Sequence, residues 1–349
     1  MPNPDQTDHA PISIRKLAGI VGASRSTISR AFRDDASVRP ELRARIRAEA
    51  QKLGYRPDPL VSELMTSFAR RQPVDYRETL GVLWWPDRWS QSELPGVFAH
   101  RVRAGMTLAA ERHGCRLTHF VLQRGGARAL TRTLAARGIH GLIITPPSEP
   151  DQAAPALDWS SLSTVVIGRS LPSPGFDRVH HGHHGAMIEA LGRLAKLGYR
   201  RPVLLADIGL EERMQRAYTG AFLAHGGGAP SHVLHLNDKD PARLAKKLKT
   251  LDHDVVIADT EEWVEPIRAL PPPSGGRPFL VLDAQRRHGP VSGVHQNLEK
   301  IAGCAVDLLM QRRLHHDCGV PEDPVSMLIP GAWVEGETLP RAGARKAIA

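Results

Sequence analysis

Cysteine is scarce in this chain: Cys115, Cys304 and Cys318 are the only three in 349 residues, and none pairs at Cys-x-x-Cys spacing. That excludes a disulfide framework and a zinc ribbon, and it suits a reducing compartment. No stretch approaches the roughly 18 to 20 uninterrupted apolar residues of a membrane helix. The segment from Met1 to Pro11 is polar and lacks the apolar core of a signal peptide, so the expected location is the cytoplasm, near the nucleoid. Also missing are a GxxxxGK[ST] phosphate loop, a GxGxxG after a strand, HExxH and GxSxG. Without a nucleophile or a cofactor grip, the expectation is a non-enzyme with no catalytic residues, no cofactor and no metal. Acidic charge is in deficit as well. Against 46 Lys and Arg stand 37 Asp and Glu, a formal net charge of +9 that favours a polyanionic partner.

What is present begins with that charge, which is concentrated. From Arg15 to Arg56 there are eleven Lys or Arg and four acids, Asp34, Asp35, Glu41 and Glu49. The same stretch predicts three short helices. Ser13 can cap a helix over Ile14 to Ile20, Gly22 sits in a turn, Ser24 can cap a second helix through about Phe32, and Pro40 opens a third that ends near Leu53. Leu17, Ala18, Ile20, Val21, Ile28, Ala31, Leu42, Ile46 and Leu53 supply the shared apolar faces. Two helices joined by a tight glycine-containing turn form the geometry that lays a recognition helix in the major groove, with Ser24, Arg25, Ser26 and Thr27 toward DNA. After Pro57 and Pro59 comes Leu60 to Arg71, amphipathic and too short to be a firm helix alone, whose order should depend on docking.

From Thr79 onward apolar strands alternate with amphipathic helices. Strands are predicted at 80–85, 116–122, 141–145, 164–168, 203–207, 232–236, 254–259 and 278–283, and helices at 97–113, 127–137, 185–197, 211–225, 241–250 and 261–270. Such alternation gives parallel sheets covered on both faces, and the number of units suggests two doubly wound lobes with a cleft at the carboxyl ends of the strands. At 349 residues, two or three domains are expected.

Taken together, Ile14 to Asp58 resembles the headpiece of the LacI/GalR family of bacterial repressors. The likeness rests on Leu17-Ala18, Gly22-Ala23-Ser24, Thr27-Ile28-Ser29-Arg30, Val38-Arg39-Pro40 and Leu53-Gly54-Tyr55-Arg56-Pro57. In the body, Leu80-Gly81-Val82, Gly138 to Ile144, Leu197-Gly198-Tyr199, Leu282-Asp283 and Val294-His295-Gln296-Asn297 follow the family's order. The resemblance implies an all-α helix-turn-helix headpiece at 12–57, a hinge at 58–77 and a periplasmic-binding-protein-like core at 78–340. Its N-lobe would take about 78–176 and 298–323 and its C-lobe about 177–294 and 324–340, with crossings near Phe176, Val294 and Asp323. It implies a homodimer reading a pseudo-palindromic operator in double-stranded DNA, since Pro340 to Ala349 is too short for a tetramerising helix. Arg25 and Ser26 would read bases, Arg30 a base or phosphate, and Ser24, Thr27, Ser29 and Arg33 the backbone. Leu64 would be a minor-groove wedge, although Asp58, Val61, Glu63 and Met65 depart from the family's hinge pattern.

In the cleft the resemblance implies Trp85, Thr145, Asp259, Asp283 and Gln296 as effector contacts, with Arg213 or Arg216 above them. An arginine, two carboxylates and a stacking tryptophan suit a polyhydroxylated ligand, so the expected effector is a carbohydrate. A nucleoside or nucleobase effector, or an architectural DNA binder with no effector, are the alternatives. His180, His181, His183 and His184 lack the carboxylate or thiol partners of a zinc site and are expected to form a surface connection near a crossing.

Overall fold

A computed structural model describes residues 14–32, 38–53, 78–89, 98–123, 126–149, 152–226, 228–236, 238–270 and 277–340. The chain divides into two compact units, Met1–Asp75 and Tyr76–Ala349. Within the first, helices α1 (Ile14–Val21), α2 (Arg25–Phe32) and α3 (Pro40–Lys52) stand as the sequence predicts. Leu17, Val21, Ile28, Ala31, Val38, Ile46 and Ala50 form their core. The Ala23 amide bonds back to Ala18 O at 3.1 Å and so ends α1. Ser24 then starts α2, its Oγ accepting the Thr27 N–H at 3.1 Å. Arg45 of α3 donates to Val21 O at 2.8 Å, holding the third helix against the carboxyl end of the first. A capping hydroxyl contributes about 1 kcal/mol. Ser24→Ala should therefore lower headpiece stability by about that much, and a headpiece melt unchanged by the substitution would show that the cap carries no weight.

The second unit holds two sheets. In the first the order is β11-β5-β4-β3-β1-β2, all parallel, from β1 (Glu78–Trp84), β2 (Cys115–Val121), β3 (Gly141–Ile144), β4 (Ser163–Ile167), β5 (Asp177–His181) and β11 (Ser326–Ile329). The second runs β12-β10-β9-β8-β6-β7, from β6 (Pro202–Asp207), β7 (Val233–Leu236), β8 (Val255–Ala258), β9 (Phe279–Val281), β10 (Gly293–His295) and β12 (Ala332–Val334), with only β12 antiparallel. Helices cover both faces: α4 (Pro86–Trp89), α5 (Phe98–Arg112), α6 (Ala127–Ala136) and α12 (Leu298–His315) belong with the first sheet. The helices α7 (His183–Leu197), α8 (Ile208–Arg213), α9 (Ala217–Ala224), α10 (Pro241–Lys249) and α11 (Val264–Arg268) belong with the second. Strand residues alternate between the two faces: Leu80, Val82 and Trp84 pack under α5 and α12, whereas Leu83 and Trp85 pack with Leu130 and Leu134 of α6. The two parallel-sheet lobes expected from the alternation are thus present, and strands buried on both faces explain their near-continuous apolar runs. Among the described residues no helix is long and apolar enough to cross a membrane.

Two differences from the sequence reading matter. Asp177–His181 and Ser326–Ile329 are strands of the first sheet, so the chain crosses at Gly182 and at Pro330-Gly331, later than the expected Phe176 and Asp323; the middle crossing falls directly after β10, close to Val294. Neither strand stands out in the sequence: DRVHH carries one apolar residue among five, and SMLI is only four residues long. The helix expected over 211–225 is broken, because Gln215 and Arg216 adopt φ of 55° and a fresh helix starts at Ala217. The residues 58–77 expected to form the hinge lie outside the described ones.

Candidate functional site

In the headpiece the candidate DNA surface is the amino-terminal end of α2. Ser24 Oγ and Thr27 Oγ1 lie 2.8 Å apart in an exposed pair, so two of the four backbone-contact candidates are engaged in the cap that starts the helix. Arg25, Ser26, Ser29 and Arg30 fall on α2 itself. Their side chains, together with Arg33 and Leu64, lie outside the described residues.

In the core the candidate site lies where the carboxyl ends of the strands of both lobes meet. Arg213, at the end of α8 in the second lobe, donates from Nη1 to Ser148 O beyond β3 of the first at 2.6 Å. Burial pulls its guanidinium down from the usual arginine range, while Asp207, Glu149, Asp259 and Asp87 act the other way. Arg88 on α4 is lowered by burial and then by the charge of Arg213. A second bridge joins Arg169, after β4, to the side chain of Gln215. Arg216 is exposed at the amino-terminal cap of α9, so of the two candidate arginines Arg213 is the one that spans the lobes.

The remaining candidates divide. Asp283 and Gln296 stand at the ends of β9 and β10. Asp283 Oδ1 is buried with no hydrogen-bond partner, and burial pushes its carboxyl up to about 6, against the pull of Arg101. Gln296 Nε2 donates to Tyr218 Oη at 3.3 Å, and Tyr218 donates to Leu282 O at 3.2 Å. Asp259 has no exposed surface; it accepts the Asp207 N–H at 2.5 Å and the Trp263 indole N–H at 2.9 Å, and burial raises it to about 7. Its oxygens organise the floor of the second lobe.

Two expectations are corrected. Trp85 is 2 % exposed, packs with Leu130, Leu134, Leu157 and Phe176, and donates its indole N–H to Thr145 O at 2.7 Å, so it is core and presents no face to the cleft. Thr145 is fully buried with its hydroxyl donated to Leu83 O at 2.9 Å. Trp85 begins just where the apolar run of β1 ends, and sequence alone does not decide to which side such a residue turns.

The structure also supplies residues the sequence reading missed. Arg101 of α5 is 5 % exposed and grips both oxygens of Glu299, on α12, at 2.8 and 3.0 Å. Its Nη2 lies 2.6 Å from His295 Nε2. An arginine only donates, so His295 accepts at Nε2 and donates from Nδ1 to Asn297 Oδ1 at 3.0 Å. Asn297 in turn donates to Pro330 O at 2.9 Å. One polar chain therefore joins the first lobe to the second and third crossings. The motif Val294-His295-Gln296-Asn297 flagged this place, but only Gln296 carried a role. His180, His181 and His183 are buried rather than on the surface; burial holds His181 down to about 4 and His183 well below the ordinary value, so both are neutral. Among the described residues no group of three or more His, Cys, Asp or Glu could hold a metal.

Comparison with known proteins bears on both units. Residues 13–58 match the model described as bacterial regulatory proteins, lacI family. An HTH-type transcriptional regulator of Mycolicibacterium smegmatis is 28% identical over 205 residues, 57% of this chain and 50% of the relative. The HTH-type transcriptional regulator AglR of Rhizobium meliloti is 29% identical over 201 residues, 56% of this chain and 52% of the relative. The chain thus spans about half the length of these two relatives. Among solved structures, the transcriptional regulator CelR in complex with cellobiose superposes with a TM-score of 0.53 at 20% identity, covering 94% of this chain and 99% of that one, a likeness of fold. The headpiece match and the shared two-lobed fold agree: residues 13–58 carry the headpiece of the bacterial regulatory proteins of the lacI family, and the core is similar in fold to a transcriptional regulator.

Proposed function

We propose that this protein is a transcriptional repressor that binds operator DNA through α2 and releases or tightens its grip when a small polyhydroxylated effector enters between the lobes of the core. The observation that carries the reading is the pairing, in one chain, of a lacI-type three-helix head with a core whose lobes meet through arginine contacts at their strand ends. A ligand placed there competes for those contacts, and whatever arrangement of the lobes it binds better it also populates. The paired headpieces of a homodimer would read a pseudo-palindrome. A sugar is favoured because Asp283 and Gln296, at the ends of the paired strands β9 and β10, bring a carboxyl oxygen without a partner and a side-chain amide, groups that pair with hydroxyls. Cellobiose on CelR is in keeping with it.

Selection from a random duplex library tests the DNA half. A pseudo-palindrome should be enriched, and a sugar and nucleoside screen should then find a compound that changes binding of the selected duplex. No enriched palindrome would end the repressor reading. A palindrome with no responsive compound would leave an effector-independent DNA binder.

Two residue-level outcomes follow. Arg25→Ala should relax sequence preference at one base pair in each half-site at about 1 to 3 kcal/mol, whereas uniform weakening on all sequences would make Arg25 a phosphate contact. Asp283→Asn should abolish the response to the compound found in the screen. Its stability signature is separate. Because the folded carboxyl keeps its proton to about pH 6 while an unfolded aspartate loses it near ~4, the wild type loses stability as the pH rises between those values. The asparagine variant lacks that component, so its stability relative to wild type should climb from pH 4 to 6 and then level off. A flat difference would mean that Asp283 is hydrated and ionised like a surface aspartate.

A further inference from the structure

Resting on the effector-cleft reading, a further conclusion comes from the loop that follows β9. Gln285, Arg286, Arg287 and His288, together with His295 and Glu299, line a cavity of about 520 Å³ between the second lobe and the start of α12. The charges in it do not cancel. Glu299 already has both oxygens on Arg101, at 2.8 and 3.0 Å, so its carboxylate is neutralised from the first lobe. Arg287 donates from Nη2 to the neutral amide oxygen of Asn297 at 2.7 Å, and among the described residues neither Arg286 nor Arg287 forms an ion pair with a carboxylate. The acid nearest in the chain's contacts, Glu261, accepts the Gln285 backbone N–H at 2.6 Å where the chain enters the loop. His295 lends its Nε2 to Arg101, and burial, then the charge of Arg101, lowers its affinity for a proton; an imidazole supplies no negative charge to the cavity. The hydroxyl-recognising pair described above adjoins this cavity in the chain, Asp283 lying two residues before Gln285 and Gln296 one after His295.

We propose that the effector is an anionic polyol, a sugar acid or a sugar phosphate, whose negatively charged oxygens are held by Arg286 and Arg287, with His288 beside them, while its hydroxyl groups reach Asp283 and Gln296. Guanidinium groups match carboxylate and phosphate oxygens with paired N–H donors, which a neutral sugar does not repay. A cavity with two uncompensated arginines therefore discriminates against the neutral sugar as well as for the charged one.

The test is calorimetric titration of the full chain with D-glucose, D-gluconate, D-glucose 6-phosphate and inorganic phosphate. Either organic anion should bind at least about tenfold more tightly than glucose, in line with a charged hydrogen bond, and its affinity should fall with added salt. The carboxylate and phosphate arms say which anion is meant, and binding of inorganic phosphate alone at the same residues also supports the charge-based part. Arg286→Gln, in an exposed loop position, should remove most of that advantage, and an unchanged circular dichroism melt keeps lost binding apart from lost fold. The proposal is overturned if glucose binds as well as its anions, if none of the anions binds, or if the anion's advantage is insensitive to salt and to Arg286→Gln. Binding of neutral glucose that also changes operator affinity would overturn the anionic class and leave the effector-regulated repressor intact. Operator binding that no ligand of any class alters would remove the effector reading itself.

Discussion

Replacing Arg312 by alanine should cost the core about 3 to 5 kcal/mol, the largest loss expected of any single substitution considered for this protein. Arg312, near the end of α12, donates from Nη1 to Asp177 Oδ2 at 2.7 Å with the two side chains 9 % and 6 % exposed. It also donates from Nη2 to Asp317 O at 3.3 Å. The other oxygen of Asp177 accepts the Val325 N–H at 2.7 Å, which fixes the start of β11 on the edge of β5. Taking away the arginine strands a buried carboxylate that can neither be hydrated nor lose its charge cheaply. The strand it releases leads into the third crossing, so the damage should reach the lobe contacts as well. Urea unfolding of Arg312→Ala and of Arg312→Met combined with Asp177→Leu separates the causes. The double variant leaves no buried charge and should recover part of the loss, all but the bonds to Val325 and to Asp317 O. A single-variant cost below about 1 kcal/mol would mean that the pair behaves as a surface ion pair.

The second large effect comes from a glycine. α5 and α12 pack so closely that a Cβ at Gly105 would lie 2.1 Å from Glu299 O and 2.7 Å from its carbonyl carbon and Cα. Since these are backbone atoms, no rotamer change relieves the clash, and one helix must move. Gly105→Ala should therefore cost about 1 to 3 kcal/mol through overpacking, even though alanine in a helix is favoured over glycine by about 1 kcal/mol. Any shift of Glu299 also disturbs its grip on Arg101, and with it the polar chain to His295 and Asn297. Gly303 on α12 is the control: a Cβ there meets Gly105 O at 3.7 Å and Ala109 Cβ at 3.8 Å, ordinary contact distances. Gly303→Ala should be neutral or stabilising. If the two variants melt alike, the helices are not held at this spacing.

The sequence alone determined the headpiece and the class of the core. A cap at Ser24, a turn at Gly22, a proline opening the third helix and periodic apolar residues are local signals, and local hydrogen bonding answers them, as Ser24 and Thr27 show. The two parallel-sheet lobes were likewise legible, because strands buried on both faces must be apolar throughout. Only the tertiary structure decided where the chain crosses between lobes, since Asp177–His181 carries a single apolar residue, Ser326–Ile329 is only four residues long, and the two pair with each other from distant parts of the chain. It alone turned Trp85 into the core, set Arg213 against Ser148 of the other lobe, and joined Arg101, Glu299, His295 and Asn297, which lie nearly two hundred residues apart from the first to the last, into one network. Periodicity records which face a residue occupies on its own element. Which side chain meets which across two lobes depends on crossings and packing that no local pattern encodes.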